Sequence, residues 1–266
     1  MGKTIRNNYQ SIQEILALPE PTNETNLSIW NGTANNNHSE NWYGPNGETM
    51  EQVIDYCTNG WEYGIEKTDK LKQQISIPVL ESVKRKLTKG SEGDWLDIHA
   101  VNRGQLATAW TKKKRTNSRG PKRFQLVCKL GGAGYVSGEA LLWRGVTCMA
   151  LAQAIIEAGH AVEIIGFNNT KSVYQDGTGI LNTLNIKEYA QPLDVGTLAT
   201  VTGLAGFYRY YMFLARLQEN KEATYGLGRS LDEPPAIESG QAQQIIIDPK
   251  IETKKEAEKF LEEVEL

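Results

Sequence analysis

Apolar positions change their spacing along this chain, and the changes divide it. Residues 1–48 are rich in Asn, Thr, Gly and Ser. Within them, 23–46 show little hydrophobic periodicity, which predicts an extended arm or loop-rich layer anchored by Trp30, Trp42 and Tyr43. At Thr49 the pattern turns helical. Thr49 and Gln52 form a T-x-x-Q capping box, and the helix they predict runs through Val53, Ile54 and Cys57 and stops near Gly60. A more weakly patterned helix is expected over 61–74. Pro78 interrupts, and a short amphipathic helix over 79–87 is expected to present Lys84, Arg85 and Lys86 in succession, with Lys89 next.

From 123 onward the texture is different. RFQLVCKL (123–130) reads as a strand, GGAGYVSG as a turn, and 138–158 as a long helix. Leu142, Val146, Met149, Ala152 and Ile156 fall three or four apart, which makes one buried stripe. Gly159 ends that helix. The strand that follows, AVEIIGF (161–167), is mostly apolar, as expected when both its faces are covered. This is a βαβ unit, with parallel strands and a right-handed crossover. Further strands are predicted at 184–190 and 243–249. A helix is opened by Pro192, Leu193 and Asp194, with Asp194 or the preceding turn as its expected cap. Two more follow, at 206–218 and 253–264. Alternation of this kind predicts an α/β fold, a mostly parallel sheet with helices on both faces, Rossmann-like in its layering. The expected organisation is an irregular and helical N-terminal region (1–110), a short segment (111–122) and the α/β domain (123–266).

That short segment changes the picture. Residues 111–123 read TKKKRTNSRGPKR and hold Lys112, Lys113, Lys114, Arg115, Arg119, Lys122 and Arg123, with no acid. Removing seven positive charges from a chain of net charge −3 leaves −10. Positive charge gathered in one place on an acidic chain points to a polyanion, above all a nucleic-acid backbone, because phosphate neutralisation releases counterions. The competing reading is a solvated loop. The segment is expected either as a hairpin with its tip at 117–120 or as a loop that folds on binding.

Other chemistry is poorly supported. Residues 132–137 give G-x-G-x-x-S, with Ser where a third Gly or Ala would pack the helix against the strand, and without the acid some twenty positions on that a dinucleotide site needs. No P-loop, G-x-S-x-G elbow or Cys/His pairing occurs. Asp94, Asp97 and His99 form D-x-x-D-x-H, for which capping and salt bridging outweigh metal ligation. No enzyme, cofactor or metal is expected. No run of eighteen apolar residues occurs, the N-terminus lacks a signal-like stretch, and Cys57, Cys128 and Cys148 are far apart. No membrane partner is expected, and the cytoplasm is the expected location.

The first strand of the α/β half, its small-residue turn with Ser137, the long helix ending in Ala158-Gly159 and the strand VEIIGF together resemble the start of a von Willebrand factor A domain. In that family the first strand ends in a D-x-S-x-S motif that holds a divalent metal. Here 129–134 read KLGGAG, with no Asp, and Ser137 alone echoes the motif. The resemblance covers about 123–249 and implies a scaffold that has lost its metal. WNGT (30–33), GWEYG (60–64) and GDWLDIHAVNRG (93–104) look like segments of a phage protein family. The arrangement resembles the single-stranded-DNA-binding transcription coactivators of Schitoviridae-type phages. That resemblance implies DNA and a phage single-subunit RNA polymerase as partners, in the host cytoplasm.

The expected function is therefore non-enzymatic DNA binding in transcription. Its candidate contacts are the seven cations named above, with Lys84, Arg85, Lys86 and an aromatic for base stacking, Trp110 or Tyr135. Each of those aromatics has an ordinary packing role as its alternative. Tyr208, Tyr210 and Tyr211 flank Arg209, but helical spacing puts two of these tyrosines in the core. The alternative functions are a metal-free adaptor or virion component and, third, a nucleotide-binding enzyme.

Overall fold

The structure is a computed structural model, and it describes residues 4–22, 24–34, 41–75, 77, 85–115, 121–171, 179–219 and 230–266. In chain order it contains β1 (Thr4–Tyr9), α1 (Ile12–Leu16), α2 (Glu24–Ala34), α3 (Met50–Asn59), α4 (Glu62–Gln74), β2 (Arg85–Gly90), β3 (Trp95–Leu96) and α5 (Ile98–Asn102). These are followed by β4 (Trp110–Arg115), β5 (Arg123–Lys129), α6 (Gly138–Glu157), β6 (Ala161–Lys171), β7 (Gly179–Lys187), α7 (Val195–Gly203), α8 (Ala205–Phe207), α9 (Phe213–Glu219), β8 (Gln243–Ile246) and α10 (Lys254–Glu263). A π-helical turn, Tyr208–Met212, joins α8 to α9.

Local chemistry places many of these boundaries. The Thr49 hydroxyl accepts from Gln52 N–H while the Gln52 side chain accepts from Thr49 N–H, the capping box expected from the sequence. Thr253 and Glu256 repeat it on α10. Asp194 caps α7, accepting from the Thr197 amide (3.0 Å) and hydroxyl (2.7 Å). These contacts hold the Asp194 carboxyl below its ordinary 3.8, the Thr197 hydroxyl contributing most.

The fold is α/β. Five strands form one mixed, mostly parallel sheet in the order β1-β7-β6-β5-β8, and β2-β4-β3 form a small antiparallel sheet. Strand β5 pairs in parallel with both β6 and β8, and β1 pairs in parallel with β7. The third strand of the α/β half differs from expectation. It spans Gly179–Lys187 and runs antiparallel to β6. An antiparallel partner needs no crossover helix.

Helix α6 is buried nearly all round and is the centre of the core. Leu142, Val146, Cys148, Met149 and Ile155 pack with Phe124, Leu126, Val162 and Ile164 of the sheet and with Trp61, Leu71, Leu198 and Leu261 of α4, α7 and α10 and their ends. It is also long and apolar enough to cross a membrane, but most of its length is buried inside the protein, which makes it a core helix. Helix α7 crosses it at a point where neither chain carries a side chain. A Cβ on Gly145 would stand 2.3 Å from the Gly203 Cα. The alternate positions of the sheet, including Val127, Phe167 and Leu181, meet Ile237 of the extended stretch before β8.

The N-terminal region also departs from expectation. Strand β1 lies at the edge of the main sheet, so the boundary expected near 110 runs across that sheet. Residues 24–34 are helical rather than extended. Trp30 is buried with its ring 4.7 Å from Tyr210, and Asn26 donates to Leu217 O (3.2 Å). Tertiary packing thus supplies what the local pattern lacks. Trp42 and Tyr43 anchor this region as expected. The Arg209 guanidinium lies 4.0 Å from the Trp42 ring centre and donates to Trp42 O and to Val136 O (2.6 Å). Burial brings Arg209 down to about 10. Tyr208 and Tyr211 face the core, and Tyr210 is half-buried.

Candidate nucleic-acid interface

The two basic runs of the sequence become neighbouring strands. Strand β2 carries Arg85, Lys86 and Lys89, and β4 carries Lys112, Lys113, Lys114 and Arg115. Their antiparallel register sets Arg85 opposite Arg115, Lys86 opposite Lys114, Leu87 opposite Lys113 and Thr88 opposite Lys112. Arg85, Lys86 and Leu87 are therefore in a strand and not in the helix expected over 79–87. Pairing with a strand some 25 residues away overrides the local amphipathic pattern. The Thr88 hydroxyl donates to Lys112 O at 3.2 Å, which ties the two strands at this point.

The third strand, β3, sets Trp95 opposite Thr111 and Leu96 opposite Trp110. The turn before it requires glycine, since a Cβ on Gly93 would come 2.5 Å from Thr111 O. Asp97 then caps α5, accepting from the His99 and Ala100 amides at 3.1 Å each. The Lys89 ammonium is 3.5 Å from its other oxygen. The Ala100 amide and the neighbouring lysine hold the Asp97 carboxyl below its ordinary 3.8. The D-x-x-D-x-H stretch thus does the capping and salt bridging expected of it. Among the described residues no three His, Cys, Asp or Glu side chains gather as a metal site.

The described side chains of this sheet and its connections form almost no interior. From 88 to 112 only Ala100 and Ala109 are buried, whereas Trp95 is 50% exposed and Leu96, Ile98 and Leu106 are exposed as well. Trp110 is half-buried between β2 and β3, and Lys112 is exposed. Among the described residues no carboxylate pairs with Lys112, Lys122 or Arg123, whereas Lys89 is matched by Asp97.

The remaining candidates lie elsewhere. Lys122 and Arg123 are exposed at the start of β5 in the main sheet. The Lys122 amide donates to His160 Nδ1 (3.1 Å), and Arg123 lies 5.5 Å from the Tyr189 ring centre. Lys84 and Arg119, with the expected hairpin tip, fall outside the described residues. Tyr135, 91% exposed, stands on the glycine-rich turn after β5 and is not part of the small sheet. Trp95 is an aromatic that the sequence reading passed over. It sits among acids in GDWLD, and only strand pairing brings it beside the lysines.

The carboxyl end of β5, where a dinucleotide or metal would sit, is filled by the protein itself. Buried Lys129 donates to Asp232 at 2.5 Å, and burial lowers its pKa in spite of that partner. Buried Arg144 donates to Gly131 O (2.6 Å) and to Pro249 O. Gly131, at φ 81°, lies against the Tyr208 ring. A divalent cation does not fit here. The buried charges are already positive, and Asp232 is engaged by Lys129. Ser137 spends its hydroxyl on capping α6, accepting from Ala140 N–H (3.1 Å). A cavity of about 250 Å³ at the far end of β7 is lined by Asn185, Lys187 and Asp194. Lys187 donates there to Val162 O and Glu188 O, and Asp194 caps α7, so both serve the fold.

No curated protein and no solved structure matches this chain. One family model does match, over residues 2–265, and with nearly its whole length the chain belongs to the family described as Domain of unknown function (DUF7192).

Proposed function

We propose that the chain is a non-enzymatic DNA-binding protein that uses the small antiparallel sheet to hold single-stranded or melted DNA. The register carries this reading. Arg85 faces Arg115 and Lys86 faces Lys114 across strands where opposite charges would stabilise the pair. With two buried alanines between residues 88 and 112, that stretch has little packing to offset the repulsion. A phosphate backbone laid along β2 and β4 removes the repulsion and releases counterions. Such contacts position a strand without reading its sequence. A role as coactivator, helping a phage RNA polymerase engage promoter DNA, rests on the resemblance noted for the sequence. Exposed Leu96, Ile98 and Leu106 beside the cations favour a protein contact as well, which is also what the adaptor reading requires.

A gel shift with single-stranded DNA tests this. Binding is expected to weaken steeply with salt. Replacing Lys112, Lys113, Lys114 and Arg115 by Ala is expected to lower affinity for all sequences alike and to reduce the logarithmic salt slope by up to about 3. Unchanged binding by that variant would refute the assignment.

A further inference from the structure

We infer that a groove between α3 and α4 binds the guanidinium group of an arginine carried by a protein partner; this is independent of the nucleic-acid reading above. The groove encloses about 630 Å³. One wall is formed by Gln52, Asp55, Tyr56 and Asn59, which recur three or four apart and so share one face of α3. Glu48 closes it from the preceding loop, and Glu62 from the start of α4. None of the lining residues is Lys or Arg. Among the described residues no cation pairs with Glu48, Asp55 or Glu62.

Glu48 is the observation that calls for a ligand. It is 6% exposed, and its two oxygens accept from the amide (2.9 Å) and the side chain (3.3 Å) of Asn46. Both donors are neutral, so a carboxylate withdrawn from water has no opposite charge beside it, whereas buried charges are ordinarily paired. Asp55 gives one oxygen to Asn59 (2.7 Å), and Glu62 complements the positive end of α4. Burial first, and then the charges of Glu48 and Asp55, raise the pKa of the Tyr56 hydroxyl, so both carboxylates act on the Tyr56 side of the groove. The acids do not converge on a point. Among the described residues no three His, Cys, Asp or Glu side chains gather as a metal site. A compact metal ion therefore does not match this groove. A guanidinium is planar, spreads its charge over a fork that reaches separate carboxylates, and lies flat on an aromatic ring. Tyr56, half-buried in the wall, offers that ring, while Tyr63 already has the Lys67 ammonium 5.0 Å from its centre. The volume exceeds what one guanidinium fills and leaves room for the chain that carries it. The site is also held in place. A Cβ on Gly60, at φ 82°, would stand 2.8 Å from the Gly196 Cα, and Tyr56 O accepts from Gly60 N–H (2.9 Å) and the Thr200 hydroxyl (3.0 Å). A preformed site loses little freedom on binding.

The experiment uses the full chain and three probes: an end-blocked Arg-Gly-Arg peptide, the same peptide with citrulline, which keeps the shape and loses the charge, and putrescine, a diamine that matches the first in charge. Binding is read from the amide NMR shifts of residues 46–65. The arginine peptide is expected to move these resonances saturably and to bind more tightly than putrescine, and the citrulline peptide to leave them in place. Asp55→Asn and Glu62→Gln, both at exposed positions, are each expected to weaken the arginine peptide about two- to fivefold. Tyr56→Leu is expected to weaken it by about the same factor. Glu48→Gln is expected to weaken it most, and the two exposed variants decide the matter should that one melt early. No saturable shift with the arginine peptide, equal binding of the citrulline peptide, or affinity unchanged in both exposed variants overturns the inference. Tighter binding of putrescine assigns the groove to a free polyamine and overturns the choice of a protein partner.

Discussion

The two sheets of this protein are built on opposite terms. The main sheet encloses Phe124, Leu126, Val162 and Ile164 beneath a helix that is itself buried, and its buried cations are matched by carbonyls or a carboxylate. Between residues 88 and 112, the small sheet and its connections bury two alanines and expose a tryptophan and three aliphatic side chains, and the sheet aligns like charges across its strands. The first is specified by its own packing. The second has its chemistry on the outside, as expected of a surface whose stability is completed by what it meets.

Substitutions can break or sharpen that contrast. The largest effect is expected from Phe124→Ala, which should cost about 3–5 kcal/mol in urea melts while leaving DNA affinity of the folded fraction intact. Next is Asp194→Ala, at about 1 kcal/mol for the lost α7 cap. Because the folded state lowers the Asp194 pKa, the stability it contributes is complete above its ordinary 3.8 and fades as pH falls through the lower folded value. Asp194→Asn should keep the cap and flatten the acid limb of a stability–pH profile. Lys86→Glu should act in opposite senses on the two properties. Placing an acid opposite Lys114 should add about 0.2–1 kcal/mol to strand pairing, read by amide exchange in β2 and β4, while DNA affinity falls. The smallest effect is expected from Ile98→Ala, within about 0.5 kcal/mol of wild type. A loss there rivalling that of Phe124→Ala would show that the two sheets are not so different.

The same contrast decides what was legible beforehand. The βαβ unit and its helices declare themselves in short stretches of sequence. Apolar runs, the Thr49 capping box, Asp194 and Gly159 each act on residues close by. Strand β1 escaped notice because TIRNNY carries little apolar signal, and its partner, β7, lies about 175 residues away. Residues 85–87 resemble a helix locally and become a strand only through β4. The cationic residues of the candidate interface were visible as composition. Their union on one sheet, and the place of Trp95 beside them, depend on pairings that no local pattern encodes.

The edge strand has a consequence for synthesis. Thr4 through Tyr9 lie against Gly179 through Leu184. During synthesis β1 must therefore wait without its partner strand until β7 has emerged. At about 5–20 residues per second that interval is roughly ten to forty seconds. The polar composition of TIRNNY, which hid the strand from inspection, keeps it soluble in that window and lets the newborn chain hold its first strand in reserve.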